Sequence, residues 1–454
     1  MIESKHITAI TAVMLCISLI LCGIIVYAAN IVDVRNIPEY QNKLFGDVIV
    51  TIDIQVDKNE WQDLIDNAAE KEWIPGDLII NGERFSTVWI RAKGNSSITQ
   101  VAKMDSDRYS LQFSLNHYVK GQTYYGLETF CVNNMTDDAT YMKEYLSYGI
   151  MEYIGVETPL VNYAKVTVNG EDYGFLLLLE RYDKAFLDRV YNTSAGQLYN
   201  VKSQNDGQGG SLLYTGNSTR RYSAIFDNAV FSNKSDKHEE RVVAAIRNLN
   251  AGTDLDEYFD VDGVLRYFAA HTVVVNINSY ISKQQQNYYI YERGGKLTIL
   301  PWSYHLAFGG LISDMDNAAV IVNFPIDTPV MGVGMVERPL LHKLLEVDEY
   351  RERYHTYLNQ IVEGYFLSGL FEDTIIALDT KIAQYVQNDV SAFYTYEQYK
   401  ASLPALIELG YLRAESIKGQ LEGAIPSTLS GQNADRSALI DVSRADISAL
   451  GSGW

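Results

Sequence analysis

Two cations on alternate residues, Arg91 and Lys93, run directly into Gly94-Asn-Ser-Ser97. In a strand, positions i and i+2 share one face, and a turn rich in hydroxyls and amides can cradle phosphate oxygens. The segment therefore reads as a phosphate grip, against the plainer alternative of a polar hairpin rim. A second segment, Asn276-Ile-Asn-Ser-Tyr-Ile-Ser-Lys-Gln-Gln-Gln-Asn287, is a polar loop between an apolar helix and the aromatic run Tyr288-Tyr-Ile-Tyr291. A third, Leu300-Pro-Trp-Ser-Tyr-His-Leu-Ala-Phe-Gly-Gly310, ends a strand in a polar turn. Polar loops wedged between apolar elements are where binding sites usually form.

Other chemistries lack their residues. The seven His include no HExxH, and no Gly-x-Ser-x-Gly elbow occurs. Asp254-x-Asp256 and Asp260-x-Asp262 lack the Gly and terminal Glu of a calcium loop and suit helix capping better. Gly332-x-Gly334 lacks the strand and third Gly of a phosphate loop. Cys16 and Cys22 sit in an apolar N-terminal stretch, leaving Cys131 alone, so neither a disulfide framework nor a Cys-based zinc site is available beyond it. With 37 Lys+Arg against 57 Asp+Glu, the net charge of −20 argues against nucleic acid as a partner.

The elements that must hold these segments change character along the chain. From Asp47 to about Glu180 the pattern is mostly β. Asp47-Val-Ile-Val-Thr-Ile-Asp-Ile-Gln-Val alternates like a half-buried strand. Asn81-Gly82 and Asn169-Gly170 each separate two apolar runs, the strongest short hairpin cue. One helix is expected between the hairpins, residues 138–153, capped by Asp137 or Asp138. Residues 203–240 read as a long polar loop, and after it helices are expected at 239–249, 261–275, 340–367, 372–387 and 396–421. The strand pair 288–291 and 297–302, joined through Gly294-Gly295, interrupts them.

At the N-terminus, Ile7 to Ala29 is an uncharged stretch of 23 residues, long enough for a membrane-spanning helix. It predicts an uncleaved signal anchor with Lys5 inside and the bulk of the chain outside the membrane. The expected organisation is an anchor (1–30), a β-rich unit (46–182), a mainly helical unit (183–426) and a tail (427–454). That is an α+β arrangement.

The three polar segments, in this order, resemble the spore coat protein H (CotH) kinase family, an atypical protein-kinase-like group. Arg91-Ala-Lys-Gly-Asn-Ser-Ser is similar to R-x-K-G-N-S-S, and Asp138-Ala-Thr-Tyr-Met-Lys-Glu144 to D-x-x-x-[LM]-[RK]-E. Val168-Asn-Gly-Glu-Asp-Tyr-Gly-Phe-Leu-Leu-Leu-Leu-Glu180 resembles V-N-G-E-x-x-G-x-Y-x-x-x-E. Asn287-Tyr-Tyr-Ile-Tyr resembles N-Y-Y-L-Y, and Pro301-Trp302…Phe308-Gly309 resembles P-W-D-x-[DN]-x-x-F-G. The resemblance implies a protein-kinase-like fold of two lobes, with ATP and Mg²⁺ or Mn²⁺ between them and phosphoryl transfer to Ser of a protein. It also implies nucleotide or phosphate contacts from Arg91, Lys93, Gln112, Glu144, Glu180 and Trp302, and metal contacts from Asn287 and Ser303.

The departures fall where transfer depends on charge. The family's catalytic carboxylate is matched by Asn278, its metal-binding Asp by Ser303, the following Asp/Asn by His305, and a strand Lys by Gln112. A neutral Asn cannot accept the substrate proton, and a Ser hydroxyl is a poor substitute for an anionic Mg²⁺ ligand. Losing both removes terms worth several kcal/mol each, roughly 10³-fold or more in rate. The expected function is a membrane-anchored degenerate kinase that binds a protein partner at the cell surface or spore envelope, with weak or absent ATP and metal. The alternatives are an active kinase using Asp314 and Asp316 as substitute ligands, and a structural surface or spore-coat module.

Overall fold

The computed structural model describes residues 37–203, 208–232, 235–311 and 318–451. Strands β1 (Val50–Gln55), β2 (Ile74–Ile80), β3 (Glu83–Lys93), β4 (Ser110–Ser114), β5 (Thr129–Asn133), β6 (Val161–Val168) and β7 (Glu171–Glu180) close into a barrel in the order β1-β2-β3-β4-β5-β7-β6. Neighbours are antiparallel except β1 and β6, which close the ring in parallel, Val50 opposite Ala164. Both Asn-Gly pairs make the turns their composition suggests. Asn81 and Gly82 have φ of 50° and 86°, and Asn169 and Gly170 have 51° and 84°, the left-handed conformation a tight hairpin demands.

The barrel interior holds the inward-facing side chains of alternating strands, among them Ile52, Ile54, Leu78, Ile90, Leu111, Phe113, Val166, Leu176 and Leu178. The Leu run of β7 has no polar face because both faces are covered. Leu176 and Leu178 fill the barrel, whereas Phe175, Leu177 and Leu179 join the core of the helical part.

That second core is built on helices α1 (Lys143–Tyr153), α2 (Asp236–Ala251), α3 (Val261–Val274), α4 (Asp348–Ile361), α5 (Leu370–Gln387) and α6 (Tyr396–Leu421). A small antiparallel sheet, β8 (Gln197–Val201), β9 (Tyr288–Arg293) and β10 (Lys296–Pro301), runs in the order β10-β9-β8 beside them. Residues 427–451 carry short helical turns, and the amide of Ala139 donates to the carbonyl of Leu450. Arg108 ties the barrel to the segment after α5. It is buried against Asp389 at 2.6 Å, Ser391 Oγ at 2.8 Å and the carbonyl of Phe175 at 2.6 Å.

This architecture corrects two expectations. The fold is not a kinase-like two-lobe fold behind a transmembrane helix: its first part is a closed seven-stranded barrel within a mixed α/β structure. Alternation in β1 shows that one face is buried, but it carries no information that the strand uses both edges and so closes a ring. The single-pass membrane location is withdrawn as well. Among the described residues no helix is long and apolar enough to cross a membrane, and the stretch 7–29 on which that reading rested lies outside them.

Candidate functional site

A cavity of about 190 Å³ opens between the β3–β5 side of the barrel and the loops flanking β9 and β10. Of the nine residues for which the resemblance implies a catalytic, nucleotide or metal position, eight line it: Arg91, Lys93, Gln112, Glu144, Asn278, Asn287, Trp302 and Ser303, with His305 beside them. The ninth, Glu180, is not among the lining residues. Its buried carboxylate accepts from Arg189 at 2.5 Å, from the Tyr40 hydroxyl at 2.6 Å and from the amide of Leu160 at 3.0 Å, clasping the barrel end.

Arg91 and Gln112 are direct cross-strand partners on β3 and β4. The guanidinium donates to Gln112 Oε1 at 2.9 Å and lies over the Trp73 ring, 4.3 Å from its centroid. A Gln at this register therefore orients Arg91, whereas a Lys would place a second cation against it. Lys93 Nζ donates to Asn133 Oδ1, and Asn133 Nδ2 donates onward to Glu144 Oε2 at 2.7 Å. The amide thus bridges the cation and the carboxylate. Glu144 also accepts from the Tyr148 hydroxyl at 3.1 Å and the Tyr304 amide at 3.2 Å. Burial pushes its pKa up, against the opposing pull of Lys93 and these donors. Gly94, the hinge of the turn, has φ 118°, and a Cβ there would stand 2.1 Å from Ser97 Oγ.

The opposite wall is neutral. Asn278, 9% exposed, accepts from Gln286 Nε2 at 3.2 Å, and Asn287 Nδ2 donates to the Asn278 carbonyl at 2.7 Å. Ser303 adopts φ 64°, Asn276 donates to its carbonyl at 3.0 Å, and its Oγ lies 3.2 Å from His305 Nδ1. A non-glycine residue in the left-handed region is uncommon and marks a position the surroundings hold in place. Burial pushes His305 down to about 4, so its imidazole is neutral at physiological pH.

These donors do not suit Mg²⁺ or Mn²⁺. Amides and a hydroxyl occupy the expected ligand positions, and Glu144 is the one carboxylate on the lining. Among the described residues, no three His, Cys, Asp or Glu side chains cluster in a way that could hold a metal. Asp314 and Asp316 lie outside the described residues.

Three cations that sequence reasoning missed also line the cavity: Lys71, Arg181 and Lys202. Each belongs to a connection rather than a motif. Lys71 sits in the loop before β2 with φ 56°, Arg181 follows β7, and Lys202 follows β8. No local signal marks them, except that Arg181 adjoins the Glu180 motif. The lining as a whole sets five cations against one buried carboxylate, in a chain whose net charge is −20.

Comparison with known proteins gives the site its family. The model of a family described as CotH kinase protein matches residues 90–417, well over half the chain and every segment around the cavity except Lys71. The chain belongs to the CotH family. Among curated proteins, inner spore coat protein H of Bacillus subtilis (strain 168) is 21% identical over 311 residues, covering 67% of this chain and 81% of that protein. Within the CotH framework, Asn278 and Ser303 face one cavity together with Asn287, and the three cations complete its wall.

Proposed function

We propose that this CotH-family chain is a degenerate kinase whose cleft holds a phosphate-bearing ligand without transferring the phosphoryl group. The observation that carries this reading is the charge of the cavity. Five Lys and Arg side chains line it, while the residues at the positions where the motif resemblance expects carboxylates are the neutral Asn278 and Ser303. A cationic pocket in an acidic protein concentrates anions locally, even though the molecule as a whole repels them. Phosphoryl transfer further needs metal-held charge and a group that positions or accepts from the nucleophile, and the amides and hydroxyl present supply neither. In the cell, the reading makes this a partner-binding protein of the spore envelope, a setting supported by the name of its Bacillus subtilis relative.

The test is to incubate the purified full chain with radiolabelled ATP and a Ser-rich protein acceptor, and to measure binding in parallel by thermal shift. Binding with no transferred label supports the reading. Transfer at ordinary kinase rates, on the order of 1 s⁻¹ or faster, refutes the degenerate assignment. A melting point that no phosphate-bearing ligand moves refutes the cleft as a binding site.

A further inference from the structure

The three cations outside the family motifs carry a more specific conclusion. Lys71, Arg181 and Lys202 come from three separate connections yet line one cavity with Arg91 and Lys93. Among the described residues none of the five lies within 4 Å of a carboxylate. Lys71 donates to the neutral Asn95 Oδ1 and Lys93 to the neutral Asn133 Oδ1. Their charges act on one another. Burial and Arg91 lower Lys71, and burial and Arg181 lower Arg91. Lys202 keeps solvent contact, yet desolvation by the cleft walls, with Arg181, Lys71 and Arg91 nearby, pushes it down to about 8. Like charges brought together with Glu144 as the one carboxylate on the lining cost free energy that a bound anion recovers. One anion long enough to reach several of them recovers more than separate small ions, because it loses its translational freedom only once.

We propose that the cleft takes a metal-free triphosphate chain, with Lys71, Arg181 and Lys202 supplying the positive charge that a divalent cation would supply in an active kinase. This rests on the reading of the cleft as a phosphate site and adds the charge state of its ligand. The donor set argues against a metal ion on the chain. Mg²⁺ on the phosphates would find neutral Asn278, Asn287 and Ser303 where it needs anionic oxygens, and would add charge to a wall that is already cationic. The same triphosphate chemistry occurs in a nucleotide and in inorganic tripolyphosphate, and the two are separated by the test.

The experiment measures thermal shift and calorimetric affinity of the full chain with ATP, tripolyphosphate and orthophosphate at equal ionic strength. Each is run once with EDTA and once with excess Mg²⁺. In EDTA, ATP and tripolyphosphate should both bind, at least about tenfold more tightly than orthophosphate, and Mg²⁺ should weaken both by about threefold or more. Charge-assisted contacts are each worth roughly a factor of ten, so Lys202→Met and Arg181→Gln should each weaken tripolyphosphate about tenfold. Without ligand, Lys202→Met should melt at the same temperature as the parent or higher, because a repulsion is removed; a structural lysine would lower it. Tripolyphosphate binding equal to ATP assigns the chain itself as the ligand, and tighter ATP binding adds the nucleoside to it. ATP binding without tripolyphosphate binding overturns the proposal, as does orthophosphate binding equally well. Binding that requires Mg²⁺ overturns the metal-free assignment but leaves the phosphate cleft standing. No binding of any anion under either condition removes both.

Discussion

Placing carboxylates at the two positions where the motif resemblance expects them, Asn278→Asp with Ser303→Asp, asks whether the neutrality of this wall decides metal binding. Asn278→Asp is nearly isosteric, and Ser303→Asp adds its larger carboxylate to a residue that lines the cavity. Gln286 Nε2 already donates to the Oδ1 of Asn278, an acceptor that Asp retains, and Asn287 holds the backbone carbonyl rather than the side chain. Ser303 sits at φ 64°, a conformation Asp tolerates better than most residues. What changes is charge: two carboxylates enter a cavity lined by five cations. The usual penalty for clustered buried carboxylates is therefore largely offset, and the metal-free double mutant should stay within about 1 kcal/mol of the parent. If the two carboxylates and Asn287 then hold Mg²⁺ with a dissociation constant of roughly 1 mM, 10 mM metal should add about 1.4 kcal/mol. For a chain of this length that is a rise of about 1.5 °C in Tm, readable by differential scanning fluorimetry. The parent should not respond to Mg²⁺, and the double mutant should also bind ATP more tightly with Mg²⁺ than without. A double mutant that folds at the parental Tm and shows no Mg²⁺-dependent rise refutes the reasoning, because the neutrality of these two positions would then not be what decides metal binding.

Replacing Arg108 by Met leaves Asp389 buried without its guanidinium, so urea unfolding should show a loss of about 3–5 kcal/mol. Gly94→Ala forces a Cβ toward Ser97 Oγ at positive φ, so the variant should lose about 1 kcal/mol or more and bind tripolyphosphate more weakly in calorimetry. Lys202 gives a pH signature whose sign is fixed by its depressed pKa. From pH 8 towards the ordinary lysine value, the unfolded chain still holds the proton that the folded chain has released. Across that window Lys202 therefore adds a rising contribution to stability, and the Tm difference between parent and Lys202→Met should shift in the parent's favour. Polyanion affinity should move the other way, falling as pH passes 8.

Local features of this protein are written locally. An Asn-Gly pair between apolar runs sets a hairpin, because the turn needs two residues that accept positive φ, and both such pairs make one. Arg91 and Lys93 share a strand face by simple alternation, and the helix from Tyr396 to Leu421 follows its apolar periodicity, whereas the single helix expected over 340–367 is broken after Leu345 and resumes at Asp348. Membership of the CotH family was legible in the same way, from short motifs around the cavity. Closure of the barrel was not. It depends on Val50 meeting Ala164 in parallel, a pairing between strands far apart in sequence, and alternation reports that a face is buried without saying what covers it. Glu180 shows the same limit from the other side, since a motif position next to the cleft proves to grip Arg189 and Tyr40 instead. The charge of the cleft belongs wholly to the tertiary structure. Lys71, Arg181 and Lys202 are ordinary loop cations in an acidic sequence, and only folding brings their three connections to one cavity, where five cations face a single carboxylate.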